Sequence, residues 1–97
     1  MINFNLNYEG FEDFLIDKRE LDGGTQYIFR FKNGYGASVV KTRYSYGHAH
    51  DLWELAVIRF YDGDRWRLNY DTPVTDDVEG CLEDKDVRNL LKRIMEL

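Results

Sequence analysis

The stretch Tyr27 to Val40, YIFRFKNGYGASVV, constrains the fold more than any other part of the chain, because it reads as two strands closed on each other by a glycine-rich turn. Tyr27, Phe29 and Phe31 alternate with Ile28, Arg30 and Lys32, which sends successive side chains to opposite faces of a pleated strand. Both faces carry bulk, so each needs cover. Asn33-Gly34 is the dipeptide that most readily takes the two positive φ angles of a type I′ turn, and Gly36 can absorb a bulge. That turn would set Lys32 roughly opposite Tyr35. The second strand, with Ala37, Val39 and Lys41 on one side and Ser38, Val40 and Thr42 on the other, is expected to run on to Tyr44.

Other elements follow from period and punctuation. Ile2, Phe4, Leu6 and Tyr8 alternate with asparagines, which predicts a first strand with one wet face. Phe11, Phe14 and Leu15 fall at i, i+3 and i+4, the spacing of a short helical turn before Asp22-Gly23-Gly24 breaks the chain. Leu52 to Tyr61, LWELAVIRFY, is apolar on both faces and so belongs at the centre of a sheet. Asp62-Gly63-Asp64 turns it into a second hairpin, whose return strand carries Trp66, Leu68 and Tyr70. Pro73 ends that strand, a short turn stopped by Gly80 is expected between Thr75 and Leu82, and the period then changes. Val87, Leu90, Leu91 and Ile94 form the apolar stripe of a helix of about twelve residues, with acids at its start and Lys92 and Arg93 near its end, as the helix dipole favours.

At 97 residues the chain is read as one domain, residues 1–97, able to bury only about 60% of its unfolded surface. The start MINFNLNYEG lacks the basic and apolar blocks of a signal peptide and no run is long enough to span a bilayer, so a cytoplasmic protein without membrane attachment is expected. A lone Cys81 leaves no internal disulfide and no zinc site of paired cysteines. Net charge −5 hides a segregation. Residues 1–24 hold six acids and two bases, residues 25–70 four acids and seven bases, and residues 71–97 eight acids and four bases. Either the acidic flanks neutralise a basic sheet, or a surface is left to meet a charged partner.

FKNGYGASVV at Phe31 to Val40, LWELAV at Leu52 to Val57 and YDTPVTDDVEG at Tyr70 to Gly80, followed by a short helix, are together similar to a group of small uncharacterised proteins encoded mostly by bacteriophages. The similarity covers roughly residues 25 to 96. It implies a setting in a phage-infected cell, with no catalytic residues carried over.

Four constellations bear on chemistry. His48-Ala49-His50-Asp51 on an extended segment would project both imidazoles to one side, where Asp51 or Glu54 could complete a divalent-metal site; a solvent-facing loop is the competing reading. The run Lys32 to Val39 superficially resembles an RNA-recognition strand signature, but turn formation already explains both glycines. Arg30, Lys32, Lys41, Arg43 and Tyr44 interleave with Arg59, Arg65, Trp66 and Arg67 in a pattern able to stack bases and neutralise phosphates, against which stands a pI near 4.9. The acids Asp71, Asp76, Asp77, Glu79, Glu83, Asp84 and Asp86 could form a recognition surface, although helix capping accounts for the later ones. Cys81 sits among acids, where the electropositive surroundings of a reactive thiol are missing, and no nucleophile elbow or phosphate-cradling loop is present.

These observations predict an α+β domain: an antiparallel sheet of four to five strands built from hairpins, with the C-terminal helix packed on one face. The other face would need cover from the N-terminal segment, a second copy of the chain in a homodimer, or a partner. The expected function is non-catalytic binding by a phage-type accessory factor that engages a host or defence protein. Tyr35, Tyr44, Tyr46, His48, His50 and Trp53 are its candidate contacts, and no cofactor is implied. A nucleic-acid-associated protein is the alternative, and a histidine-dependent metal protein the second alternative.

Overall fold

The computed structural model describes residues 3–43, 45, 50–75 and 78–97. Strands β1 (Leu15–Leu21), β2 (Gly24–Arg30), β3 (Tyr35–Lys41), β4 (Trp53–Asp62) and β5 (Arg65–Leu68) lie side by side in chain order, all antiparallel, and β6 (Glu79–Leu82) also pairs with β4. The expected central strand is therefore central. β4 gives one edge to β3 and divides the other between β6, at Trp53 and Leu55, and β5, from Ile58 to Asp62. Helix α1 (Asp84–Met95) follows. The fold is α+β, as predicted, with six strands in place of four to five.

Helix α1 buries Val87, Leu91 and Ile94 against the sheet face that carries Tyr27, Phe29, Val39, Trp53, Leu55 and Val57, all 1% exposed or less. Each such side chain contributes on the order of 1.5–3 kcal/mol of burial. The acids at the helix start have structural partners: the Asp86 carboxylate accepts the Glu83 N–H at 3.0 Å, and Asp84 accepts the Trp53 indole N–H at 2.8 Å. At the other end the Asn33 side-chain amide donates to the carbonyls of Ile94 (2.9 Å), Met95 and Leu97 (3.2 Å each), closing the helix C-terminus with a residue from the β2–β3 turn.

That turn differs from expectation. Phe31, not Lys32, faces Tyr35, because the Phe31 N–H donates to the Tyr35 carbonyl at 2.8 Å and the Gly34 N–H to the Phe31 carbonyl at 3.2 Å. The loop is thus three residues, Lys32-Asn33-Gly34, with the positive φ (87°) falling on Gly34 alone. The type I′ turn lies instead at Asp22-Gly23, whose φ angles of 48° and 77° close β1 on β2 with Leu21 opposite Gly24. Gly36 is needed for space, since a Cβ there would strike the Phe29 carbonyl and lie 2.9 Å from the Phe60 ring.

Three further expectations are corrected. Residues 3–8 form no strand; they run as an extended strap over the helix-side face, burying Leu6 and packing Tyr8 on Tyr27 and Phe29. The strap's backbone is held by side chains: the Tyr27 hydroxyl donates to the Phe4 carbonyl and accepts the Leu6 N–H, and Arg88 donates to the Asn7 carbonyl. Alternation here reflects one-sided burial without a ladder. Between Thr75 and Leu82 the described residues include β6 where a turn was expected, and the left-handed residue is Cys81 (φ 58°), not Gly80. β3 ends at Lys41; Tyr44, to which it was expected to run, lies outside the described residues.

Candidate binding surface

The basic residues of β2 to β5 fall into three environments. Lys41 is buried, its side chain 3% exposed, with its ammonium 2.6 Å from Asp51 Oδ1, 2.7 Å from the Asn3 carbonyl and 4.2 Å from the Trp53 ring centre. The Asp51 carboxyl is held below the usual carboxylate value, chiefly by that hydrogen bond from Lys41 and next by the Asn3 N–H. Arg30 lies over Phe60 on the face away from the helix and pairs with Asp64 at 2.9 Å. These two cations are neutralised locally.

Arg59 and Arg67 are not. The Gly63-Asp64 turn, with Gly63 at φ 59°, sets β4 against β5 so that Arg59 and Arg67 are direct cross-strand partners on one face. Tyr35 of β3 stands on the other side of Arg59, and the Arg59 guanidinium lies 4.7 Å over the Tyr35 ring centre. A bulge between Phe60 and Asp62 re-aims Tyr61, whose ring, 52% exposed, takes the Arg67 guanidinium at 4.4 Å. Neither guanidinium donates a hydrogen bond to any described residue or lies within 4.0 Å of a described carboxylate. The result is a row of half-buried Tyr35 and exposed Arg59, Arg67 and Tyr61, with Arg65 two residues from Arg67 on the same strand.

Like charges directly opposite on antiparallel strands repel, so facing each other offsets what the two arginines gain from their tyrosines. Stacking occupies a guanidinium's flat face and leaves its rim of N–H donors available. Chemically, the surface can take an anion by paired hydrogen bonds. The opposite face has its own cover: Ile28, Ile58 and Phe60 are buried beneath half-buried Trp66, while Leu68 and Ile16 stand 50% and 44% exposed at the margin.

Of the residues singled out in the sequence, Tyr35 is half-buried and belongs to this row. Trp53 is a core side chain, 1% exposed and bonded to Asp84. His50 is exposed, at the rim of a shallow cavity of about 370 Å³ shared with Asp51 and Asp84. Tyr44, Tyr46 and His48 lie outside the described residues. Among the described residues no group of three or more His, Cys, Asp or Glu side chains could hold a metal ion. Arg59 and Arg67 were visible in the sequence as basic residues among aromatics, but Tyr61 was not singled out, since its position in the bulge depends on register. No family model, curated protein or solved structure matches the chain. No helix of the described residues is long and apolar enough to cross a membrane.

Proposed function

We propose that the protein is a non-catalytic binding protein whose contact surface is the Tyr35–Arg59–Arg67–Tyr61 row and whose partner is a protein with an acidic face. The observation that supports this reading most is the Arg59–Arg67 pair: two arginines on directly opposite residues, without a counter-ion among the described residues, each stacked on a tyrosine. Tyrosine and arginine are the side chains that most often dominate interface energy. An acidic partner would relieve the repulsion between the two arginines and gain charge-assisted hydrogen bonds. The resemblance of residues 25–96 to small phage-encoded proteins fits a cytoplasmic accessory role in which that partner is a host or defence protein.

A nucleic-acid partner is the second reading, favoured by the same arginines and by the exposed Tyr61 ring. It is weaker because a chain of net charge −5 is repelled overall by polyphosphate. Affinity capture with the wild-type chain, with Arg59→Gln/Arg67→Gln and with Arg19→Gln separates the two. A specific protein retained by wild type and Arg19→Gln but lost by the double variant is the expected result. A retained protein indifferent to the double variant, or salt-sensitive oligonucleotide binding alone, would contradict the proposal.

A further inference from the structure

We infer that Arg59 and Arg67 together form a site for one dianionic phosphoryl group, the phosphomonoester of a phosphorylated side chain on the partner protein. This deepens the binding reading above and rests on it. The argument is one of charge and donor count. The two guanidiniums carry ten N–H donors, none used by a described residue, on residues directly opposite each other across β4 and β5. A single carboxylate brings one negative charge and two oxygens, which leaves one arginine facing another positive charge. A phosphomonoester brings about −1.5 to −2 and three acceptor oxygens, enough to bridge both forks and cancel their repulsion.

The stacking supplies the preorganisation. With Arg59 over Tyr35 and Arg67 over Tyr61, both guanidiniums are positioned before a ligand arrives, so less side-chain freedom is lost on binding than from free arginines. Tyr35 itself is anchored by its backbone, since its N–H donates to Asn33 Oδ1 at 3.0 Å and its carbonyl accepts the Phe31 N–H. Arg65, two residues before Arg67, adds positive charge on the same side. A phosphodiester strand fits less well, because each of its phosphates carries one charge and two free oxygens.

The test is titration of the full chain with phenyl phosphate, dimethyl phosphate, acetate and oligothymidylate, observed at the arginine side-chain N–H resonances by NMR. Saturable shifts at Arg59 and Arg67 with phenyl phosphate, at least about tenfold weaker with dimethyl phosphate or acetate, are expected. Arg67→Lys, which keeps the charge and loses the fork, should weaken phenyl phosphate about tenfold, and Arg59→Gln/Arg67→Gln should abolish the shifts. Acetate binding as tightly as phenyl phosphate, or no saturation with any anion, would overturn the phosphoryl site while leaving an acidic protein partner standing. Oligothymidylate binding more tightly than phenyl phosphate, with affinity falling steeply in salt, would overturn both.

Discussion

Arg59 of β4 and Arg67 of β5 stand directly opposite each other, each over a tyrosine ring and neither within 4.0 Å of a described carboxylate. Replacing Arg67 by glutamine removes a cross-strand repulsion and a cation–π contact of similar size, so the unfolding free energy should change by no more than about 0.5 kcal/mol. Chemical denaturation at low salt checks this. Near-neutral stability is what makes the variant a clean probe of binding.

The Lys41–Asp51 pair behaves in the opposite way. Asp51→Asn keeps a residue that tolerates the left-handed backbone (φ 62°) but leaves a nearly buried ammonium without its counter-ion, at an expected cost of about 2 kcal/mol. Because the folded-state value of Asp51 is lowered, its contribution is present above the ordinary carboxylate range and is lost as pH falls through the lowered value. Stability of the wild type should therefore decline below about pH 4 more steeply than that of the variant. The Asp51 side chain is 42% exposed, so solvent screening moderates the difference. Denaturant midpoints measured from pH 2 to 7 on both chains read it directly.

Asn33 provides a sharper test of the fold. Had its role been to supply a positive φ, Asn33→Gly would be neutral. Its amide instead closes α1, and its carbonyl oxygen accepts the Tyr35 N–H. Both Asn33→Gly and Asn33→Ala should lose about 1–2 kcal/mol, with amide exchange accelerated in the last turn of the helix.

Cys81 sits at φ 58° next to Gly80, a conformation that costs a non-glycine residue about 1 kcal/mol. Cys81→Gly is expected to raise the unfolding free energy by up to about that amount and Cys81→Val to lower it, read from the shift in denaturant midpoint.

The elements with strong period were legible in the sequence. β2, β3 and β4 bury both faces or alternate cleanly, and α1 carries its stripe at helical spacing. β1 was missed for a physical reason: it is an edge strand with five exposed residues between half-buried ends, so nothing in Leu15–Leu21 alternates. The signal that could have found it was Asp22-Gly23, a dipeptide suited, like Asn33-Gly34, to a two-residue hairpin turn. Residues 3–8 misled because an extended strap and a strand share one-sided burial, and only hydrogen-bond partners distinguish them. For the surface, residue types were readable but their meeting was not. Lys41, counted with the basic residues, is buried by a partner ten positions away, whereas Arg59 and Arg67 come together through a register that one bulge at Tyr61 decides.

Tyr61 and Leu68 offer nearly equal exposure, 52% and 50%, on opposite faces of the β4–β5 hairpin, and so let the contact face be read without altering the arginines. A photo-reactive amino acid placed at each position in turn, with irradiation in the presence of the captured partner, tests the proposed surface most directly. The account predicts a crosslink to the partner from position 61 and none from position 68; crosslinking from position 68 alone would contradict it.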